Sequence, residues 1–539
     1  MNNNENVTCE NVNEVKEKPQ IHFSKIVFND GTELELQKNS IVVFTGANNS
    51  GKTQVLKDIE ICLDSSNQKS PIVIKQVDPV YSGAIDEETF LREHFKLDEQ
   101  GMYQLFGTGM SFNIDSLENN WINHRFYNNI HIAFVHRLST EIRLSSSNAL
   151  TRNSSMEWHP IYKLSRNEIL AQYISDYFRK AFGVDLVINK NELSTIPLHV
   201  GKAPDKTKFK MAEQDDYYNL VEKLPKLQEQ GDGMRSFGSI LLNTFTSDYP
   251  IVLIDEPEAF LHPPQARILG EMLSKNNPED RQLFISTHSE DFLQGLLDSD
   301  TQNVTIIRIN RKNDINKMSI LQHDEIKKFW SNPILRYSNI LSGLFHKKVI
   351  VCESDYDCLF YQAIMNAICE LKNEIAPDIL FTHCSGKYRF KDIVSPLKAI
   401  DVPVIAISDF DILDDKRNLK SLISAFGESW ETTIEKDMKI IYDNMNAKGK
   451  DSWEQIKEIG KAGFKGNAPS AYENVEKICK SMGLFIVPVG EMECFDKTIN
   501  KEKKDWVYEV LDRYNLANEP KLEEARKFIE EIIKFGEES

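Results

Sequence analysis

The chain has 539 residues, 41% of them apolar and 27% charged, with a formal net charge of −18. That length allows several domains with sizeable cores, while the acidic balance excludes a surface coated for non-specific nucleic-acid binding and leaves room for a local basic groove or a cation-bridged site. No apolar run is long enough to cross a bilayer, and the eight cysteines form no C-x-x-C pair, so they read as free thiols of a cytoplasmic protein.

Residues 1–20 are polar and acidic, unlike a secretory or transit segment, and read as a disordered lead. At 41–53, "IVVFTGANNSGKT" runs an apolar strand into G-x-x-x-x-G-K-T, and "QVLKDIEICL" continues with helical periodicity. Gly46, Asn49 and Gly51 shape a loop whose N–H groups cradle phosphates, Lys52 reaches the β and γ phosphates, and the Thr53 hydroxyl can ligate Mg²⁺. Arg137 in "FVHRLS" reads as an exposed strand-end residue, with a phosphate contact as the alternative.

The span around 155–230 is less legible and is assigned to an inserted or elaborated lobe. Within it "SRNEILAQYISDYFRKAFG" predicts a helix with a Ser165-x-x-Glu168 capping box that closes at Gly183, followed by short strands in "VDLVINK" and "STIPLHVGK". No heptad array long enough for a coiled-coil arm is present. "YPIVLIDEPEAFLHP" is a second apolar strand ending in Asp255 and Glu256: the first suits a Mg²⁺ shell, the second polarisation of the attacking water. "RQLFISTHSEDFL" then ends a strand at His288, where a γ-phosphate sensor is expected.

"DEPEAFLHP" and "STHS" resemble the ATP-binding-cassette ATPases of the RecF and structural-maintenance-of-chromosomes (SMC) type. That resemblance implies two heads sandwiching ATP, each lending a signature loop to the other. The matching stretch is "QGDGMRSFGSILLNTF", in which Gly233 and Arg235 fit the pattern while Gly231 stands where the signature serine is usual. The missing hydroxyl implies a weakened contact in trans and slow hydrolysis.

Further along, "KKVIVCESDYDCLFYQAI" runs a strand into Glu353, Asp355 and Asp357, and "VPVIAISDFDIL" runs another into Asp409 and Asp411. Strand and helix alternation predicts a parallel α/β sheet with its functional residues at the carboxyl ends of strands. Asp409 and Asp411, as alternate residues of extended chain, are expected to face one cluster of hard oxygen ligands suited to Mg²⁺ or Mn²⁺. Two such ions would support phosphodiester cleavage.

Glu353-Ser354-Asp355-Tyr356-Asp357 and the later D-x-D resemble the Toprim domain, with Ser354 in place of the usual glycine. "SGLFHKKVIVCESDYD", "CSGKYRF", "GLFIVPVGEMECF" and "KEKKDWV" together resemble the OLD family, named for overcoming-lysogenisation-defect proteins, which join a cassette ATPase to a Toprim nuclease. The resemblance implies an α/β chain with an ABC/RecF/SMC-like P-loop ATPase head at 21–345 and a Toprim domain with C-terminal helices at 346–539. It implies metal ligation by Glu353, Asp357, Asp409, Asp411 and Glu493, with Glu491 less firmly placed, and transition-state stabilisation by a lysine of 501–504. Lys504 is chosen there against the alternative of an exposed helix face, and Lys387 is read either as a phosphate-backbone contact or as surface. The implied partners are ATP, Mg²⁺ or Mn²⁺, DNA, a second copy of the chain, and a restraining partner such as a retron reverse transcriptase with its DNA–RNA product; no membrane is implied. Competing readings are an ATP-dependent sensor or loader with a structural metal site, and a nuclease acting on RNA. At the C-terminus, Leu522, Ala525, Phe528, Ile529 and Ile532 share one apolar helical face and read as core.

Overall fold

A computed structural model describes residues 16–536 apart from 67–68, 107, 153–158, 211–213, 300–302, 313–314, 322–340 and 447–451. Most of the expected lead at 1–20 lies outside them, as does part of the lobe. The described residues fall into two compact units, divided mainly at residue 323. Among the described residues, no helix is long and apolar enough to cross a membrane.

The first unit is organised by a six-stranded sheet made of β1 (Ile41–Thr45), β2 (Val135–Leu138), β3 (Ile251–Asp255), β4 (Gln282–Ser286), β5 (Val304–Lys312) and β6 (Ile315–Leu321), in the order β6-β5-β1-β4-β3-β2. All neighbours are parallel except β5 and β6, which form a hairpin. The central strands are apolar at nearly every position because both faces are covered, and β1 and β4 are buried throughout. Against this sheet packs an antiparallel one built from Gln20–Phe28, Glu33–Glu35 and Ile74–Ser82. Gln282, wholly buried, locks the two together: its Oε1 accepts from Phe23 N and its Nε2 donates to the carbonyls of Phe23 and Gln37, each at 2.8 Å. Asp58, also wholly buried, lies on α1 (Lys52–Leu63) and accepts from the backbone N–H groups of Ile72, Val73 and Ile74, tying that helix to the outer strand.

In the lobe, α2 (Glu168–Phe182) ends at Gly183 in the left-handed conformation as expected, but its cap is Asn167, whose Oδ1 accepts from Leu170 N at 3.0 Å. Ser165 instead belongs to a preceding helix, Pro160–Arg166, where its hydroxyl donates to Tyr162 O. Proline at that helix's first turn sets an earlier start, and Asn167 at the junction takes over the capping. Asp185–Ile188 and Leu198–Gly201 pair as a two-stranded antiparallel ribbon.

The second unit holds a fully parallel four-stranded sheet of β7 (Lys348–Cys352), β8 (Ile379–His383), β9 (Val404–Ser408) and β10 (Leu484–Ile486), in the order β8-β7-β9-β10. Helix α3 (Asp355–Lys372) and the terminal helix α4 (Glu523–Lys534) cover it, and Leu522, Ala525, Phe528, Ile529 and Ile532 are all buried in this core as their spacing predicts. The seven cysteines among the described residues are unpaired.

Candidate nucleotide and metal sites

The first site sits at the carboxyl ends of β1, β3 and β4. Gly46 and Gly51 take φ of 135° and 107°, and Asn49 takes 62°, so the chain curls through left-handed conformations before α1 begins at Lys52. Thr53 Oγ1 donates to Asp255 Oδ1 at 2.9 Å, bringing together two residues expected to hold Mg²⁺. Ser286, the last residue of β4, also donates to Asp255 Oδ1. Glu256 has φ of 50°, a strained value for a non-glycine residue, and its carboxylate meets His288 Nε2 at 2.6 Å.

Arg143, buried on the helix Thr140–Ser146, braces Glu256 together with Ser286 O, which accepts from Glu256 N at 3.0 Å. The Arg143 guanidinium donates to the carbonyls of Leu138, Asp255 and Glu256 and to the hydroxyls of Thr140 and Ser236. Burial draws its pKa below the ordinary arginine value, against the pull of Glu258, Asp255 and Glu256. Arg137, by contrast, pairs with Glu60 at 3.0 Å.

Ser236 lies on the helix Asp232–Thr246, which carries the signature-like sequence. Gly231 caps that helix without a side chain, and Arg235 bonds within its own unit to Asp232, Ser147 and Leu144. Gly233 is required by proximity, since a Cβ there would stand 2.6 Å from Phe260 O. Gly233→Ala should therefore cost about 1–3 kcal/mol in urea denaturation. Gly231→Ser meets nothing within 4 Å and supplies a capping hydroxyl, so it should be neutral or stabilising by a few tenths of a kcal/mol.

The second site lies at the carboxyl ends of β7 and β9. Ser354 caps α3 in a capping box: its Oγ accepts from Asp357 N at 3.3 Å and Asp357 Oδ2 accepts from Ser354 N at 2.8 Å. The serine standing in for glycine thus starts the helix. Glu353 Oε1 accepts from Ser408 Oγ at 2.8 Å and Asp409 N at 3.0 Å. Burial, reinforced by Asp411 and Asp357, pushes the Glu353 carboxyl up to about 7. Asp409 is pushed well above the ordinary range by burial and then by Glu353, Asp357, Glu491 and Asp411.

Asp411 departs from expectation. It does not continue an extended strand after Asp409, because Phe410–Leu413 close into a 3₁₀ turn that Phe410 N anchors on Gly490 O at 2.8 Å. Asp411 Oδ2 accepts from Lys387 Nζ at 2.7 Å and Lys457 Nζ at 3.0 Å, while Oδ1 is buried with no hydrogen-bond partner among the described residues. The two lysines outweigh desolvation and hold its pKa below the ordinary value.

Glu493 Oε1 accepts from Lys503 N at 2.7 Å. Lys504 is exposed with its Nζ 5.8 Å from the Tyr508 ring centroid, whereas Lys503 is the lysine whose charge acts on Asp357 and Glu491.

The acids do not form one ready-made shell: among the described residues, no three His, Cys, Asp or Glu side chains are placed to hold a metal together. One oxygen of four of them is engaged, Glu353 with Ser408 and Asp409 N, Asp357 with its helix cap, Asp411 with two lysines, Glu493 with Lys503 N. The donor set nevertheless fits a hard divalent cation. It is all oxygen, Asp411 Oδ1 is a buried acceptor left unpaired, and Glu353 and Asp409 resist ionisation for want of compensating charge.

Sequence reading missed Lys457 and Arg143, which lie in helices with no motif. It also passed over Ser286 and Ser408, each the last residue of a strand and each donating to the acid that matters.

Residues 344–411, which contain Glu353, Asp409 and Asp411, match the family model for the Toprim domain of overcoming-lysogenization-defect-like proteins, and residues 150–293 match an AAA domain model whose description names the AbiEii toxin of type IV TA systems. Together the matches support an OLD-type arrangement of an ATPase domain followed by a Toprim domain. An OLD nuclease of Thermus scotoductus is 27% identical over 175 residues, which are 30% of this chain and 31% of that protein; the match thus spans about a third of its OLD-family relative. Two solved SMC heads are also similar: one bound to the C-winged helix domain of ScpA (13% identity, 58% of this chain, 99% of that one, TM-score 0.34), and one from Thermotoga maritima (9% identity, 57% of this chain, 99% of that one, TM-score 0.29). Likeness at those scores is loose, and the ATPase fold of the first unit stands on its own strand order, phosphate loop and AAA match.

Proposed function

We propose that this OLD-family chain is a divalent-metal-dependent DNA endonuclease or nickase whose Toprim site is regulated by ATP at the first site. The carrying observation is the convergence of Glu353, Asp409 and Asp411 at the ends of two adjacent parallel strands, with a buried unpaired carboxylate oxygen among them. Glu353, Asp357, Asp409, Asp411 and Glu493 would hold Mg²⁺ or Mn²⁺, which supplies an activated water and charge neutralisation at the scissile phosphate. Ser408 and the Asp409 N–H orient Glu353, the 3₁₀ turn orients Asp411, and a lysine of 501–504 meets the developing charge.

In the ATPase unit, Lys52 and the loop N–H groups bind the phosphates, Thr53 and Asp255 hold Mg²⁺, and Glu256, oriented by Arg143 and His288, positions the water. Gly233 and its helix face a second head in a homodimer or higher oligomer. ATP acts there as a conformational switch, since phosphodiester hydrolysis is itself downhill. Action in antiphage defence, and restraint by a partner such as a retron reverse transcriptase with its DNA–RNA product, are supported by the family resemblance alone.

Supercoiled and linear DNA incubated with Mg²⁺ or Mn²⁺, with and without ATP, tests the reading. Cleavage should be lost in Asp409→Asn and should lose its ATP response in Lys52→Ala. The tied-up oxygens of the acid cluster favour a second reading, an ATP-dependent sensor or loader with a structural metal site. It expects Asp409→Asn to leave every biochemical activity intact, and cleavage of RNA in place of DNA would change the substrate while keeping the site.

Glu353 sets a pH dependence. Without a cation, the folded chain keeps a proton up to about 7 that the unfolded chain releases near 4.5, so stability falls as pH rises through that window. A cation binds only the ionised form, so Mn²⁺ affinity should climb as Glu353 ionises over the same interval. Calorimetric titration with proton release checks this, and a flat profile would remove Glu353 from the ligand set.

A further inference from the structure

We propose that Lys457 is an exchangeable counter-ion of the acidic cluster: it neutralises Asp411 while no cation is bound and moves to the substrate's phosphate backbone when the metal takes that carboxylate. The inference rests on the metal-nuclease reading and adds a residue that no motif announces.

Lys457 projects from the helix Ser452–Ile459, and its position is built from the backbone up. Gly490, with φ of 121°, packs so closely on this helix that a Cβ would lie 1.9 Å from Lys457 O, a contact only glycine permits. Three residues on, Gly460 approaches Pro488 O so that a Cβ would lie 2.1 Å away, and Lys461 N donates to the same carbonyl at 3.0 Å. Gly490 in turn accepts from Phe410 N, between Asp409 and Asp411, and immediately precedes Glu491. One glycine therefore fixes Lys457, the D-x-D turn and the glutamate loop relative to one another.

Two ammonium groups on a single carboxylate oxygen, with the other oxygen buried and unpaired, is an arrangement with more positive charge on one side than Asp411 alone needs. The two lysines are not equivalent. Lys387 is the closer, at 2.7 Å, and its side chain is 20% exposed. Lys457 is at 3.0 Å, 45% exposed, and also within 4.0 Å of Glu491. The more exposed and longer-range ion is the one that a divalent cation displaces at least cost. Once released beside the cluster, it faces whatever polyanion the metal site holds.

The test uses the intact chain with Mn²⁺ as probe. Lys457→Met keeps the aliphatic stem and removes the competing charge, so Mn²⁺ affinity by calorimetry should rise about tenfold. Duplex DNA binding, measured with Ca²⁺ to hold back cleavage, should weaken, and the slope of log K against log salt should fall by about one phosphate contact. Lys457→Arg should restore the slope. A merely structural lysine would not move the two affinities in opposite directions. Unchanged or weaker Mn²⁺ binding in Lys457→Met, or an unchanged salt slope, overturns the exchange. If the wild-type chain itself neither binds Mn²⁺ nor cleaves, the metal-nuclease reading falls, and the exchange with it; wild-type cleavage with an unresponsive Lys457→Met sinks the exchange alone.

Discussion

Asp409→Asn should reduce metal-dependent cleavage by about a thousandfold or more while leaving the metal-free chain as stable as the wild type or more so. The two effects share one cause. Asp409 is buried at the end of β9 among Glu353, Asp357, Glu491 and Asp411, and its carboxyl is driven well above the ordinary range. An acid whose folded pKa is raised destabilises the fold increasingly as pH rises above its unfolded value. Asparagine keeps the shape and removes the charge, so the stability gain should widen as pH increases, readable in urea melts with EDTA. A variant that loses both cleavage and stability would mean that Asp409 serves the core, and the nuclease assignment would lose its central residue.

Arg143→Ala should have the largest effect in the ATPase unit. It strips donors from the carbonyls of Leu138, Asp255 and Glu256 and from the hydroxyls of Thr140 and Ser236. Burying those acceptors unpaired should cost about 3 kcal/mol. Glu256 would also lose one restraint on its φ of 50°, and if it positions the water as proposed, a displacement of about 1 Å would lower turnover by about a hundredfold. ATP binding rests on the phosphate loop and should change little, so kcat should fall while nucleotide affinity persists. A parallel loss of both would show that Arg143 supports the loop as a whole.

The elements that carry chemistry were legible in the sequence because each is local. An all-apolar strand followed by a glycine loop and a lysine, or by acids, predicts both the strand and the direction in which its end points, and β1, β3, β4, β7 and β9 all lie where those patterns place them. What was not legible depends on distant chain. The extended D-x-D expectation gave way to a 3₁₀ turn because Phe410 finds its partner at Gly490, eighty residues later. Lys457 and Arg143 reach their sites from helices whose own periodicity speaks only of packing. The lysine run at 501–504 likewise cannot be resolved by pattern: position along one helix turn decides that Lys503 acts on the acids while Lys504 lies over Tyr508.

Asp58 gives the first unit a mechanical property. Three successive backbone N–H groups, of Ile72, Val73 and Ile74, end on its carboxylate, and Gln54 Nε2 adds a fourth donor at 2.8 Å. The helix that begins at the phosphate loop and the strand Ile74–Ser82 are thereby riveted together through one side chain. A tilt of this helix would therefore carry the antiparallel sheet with it.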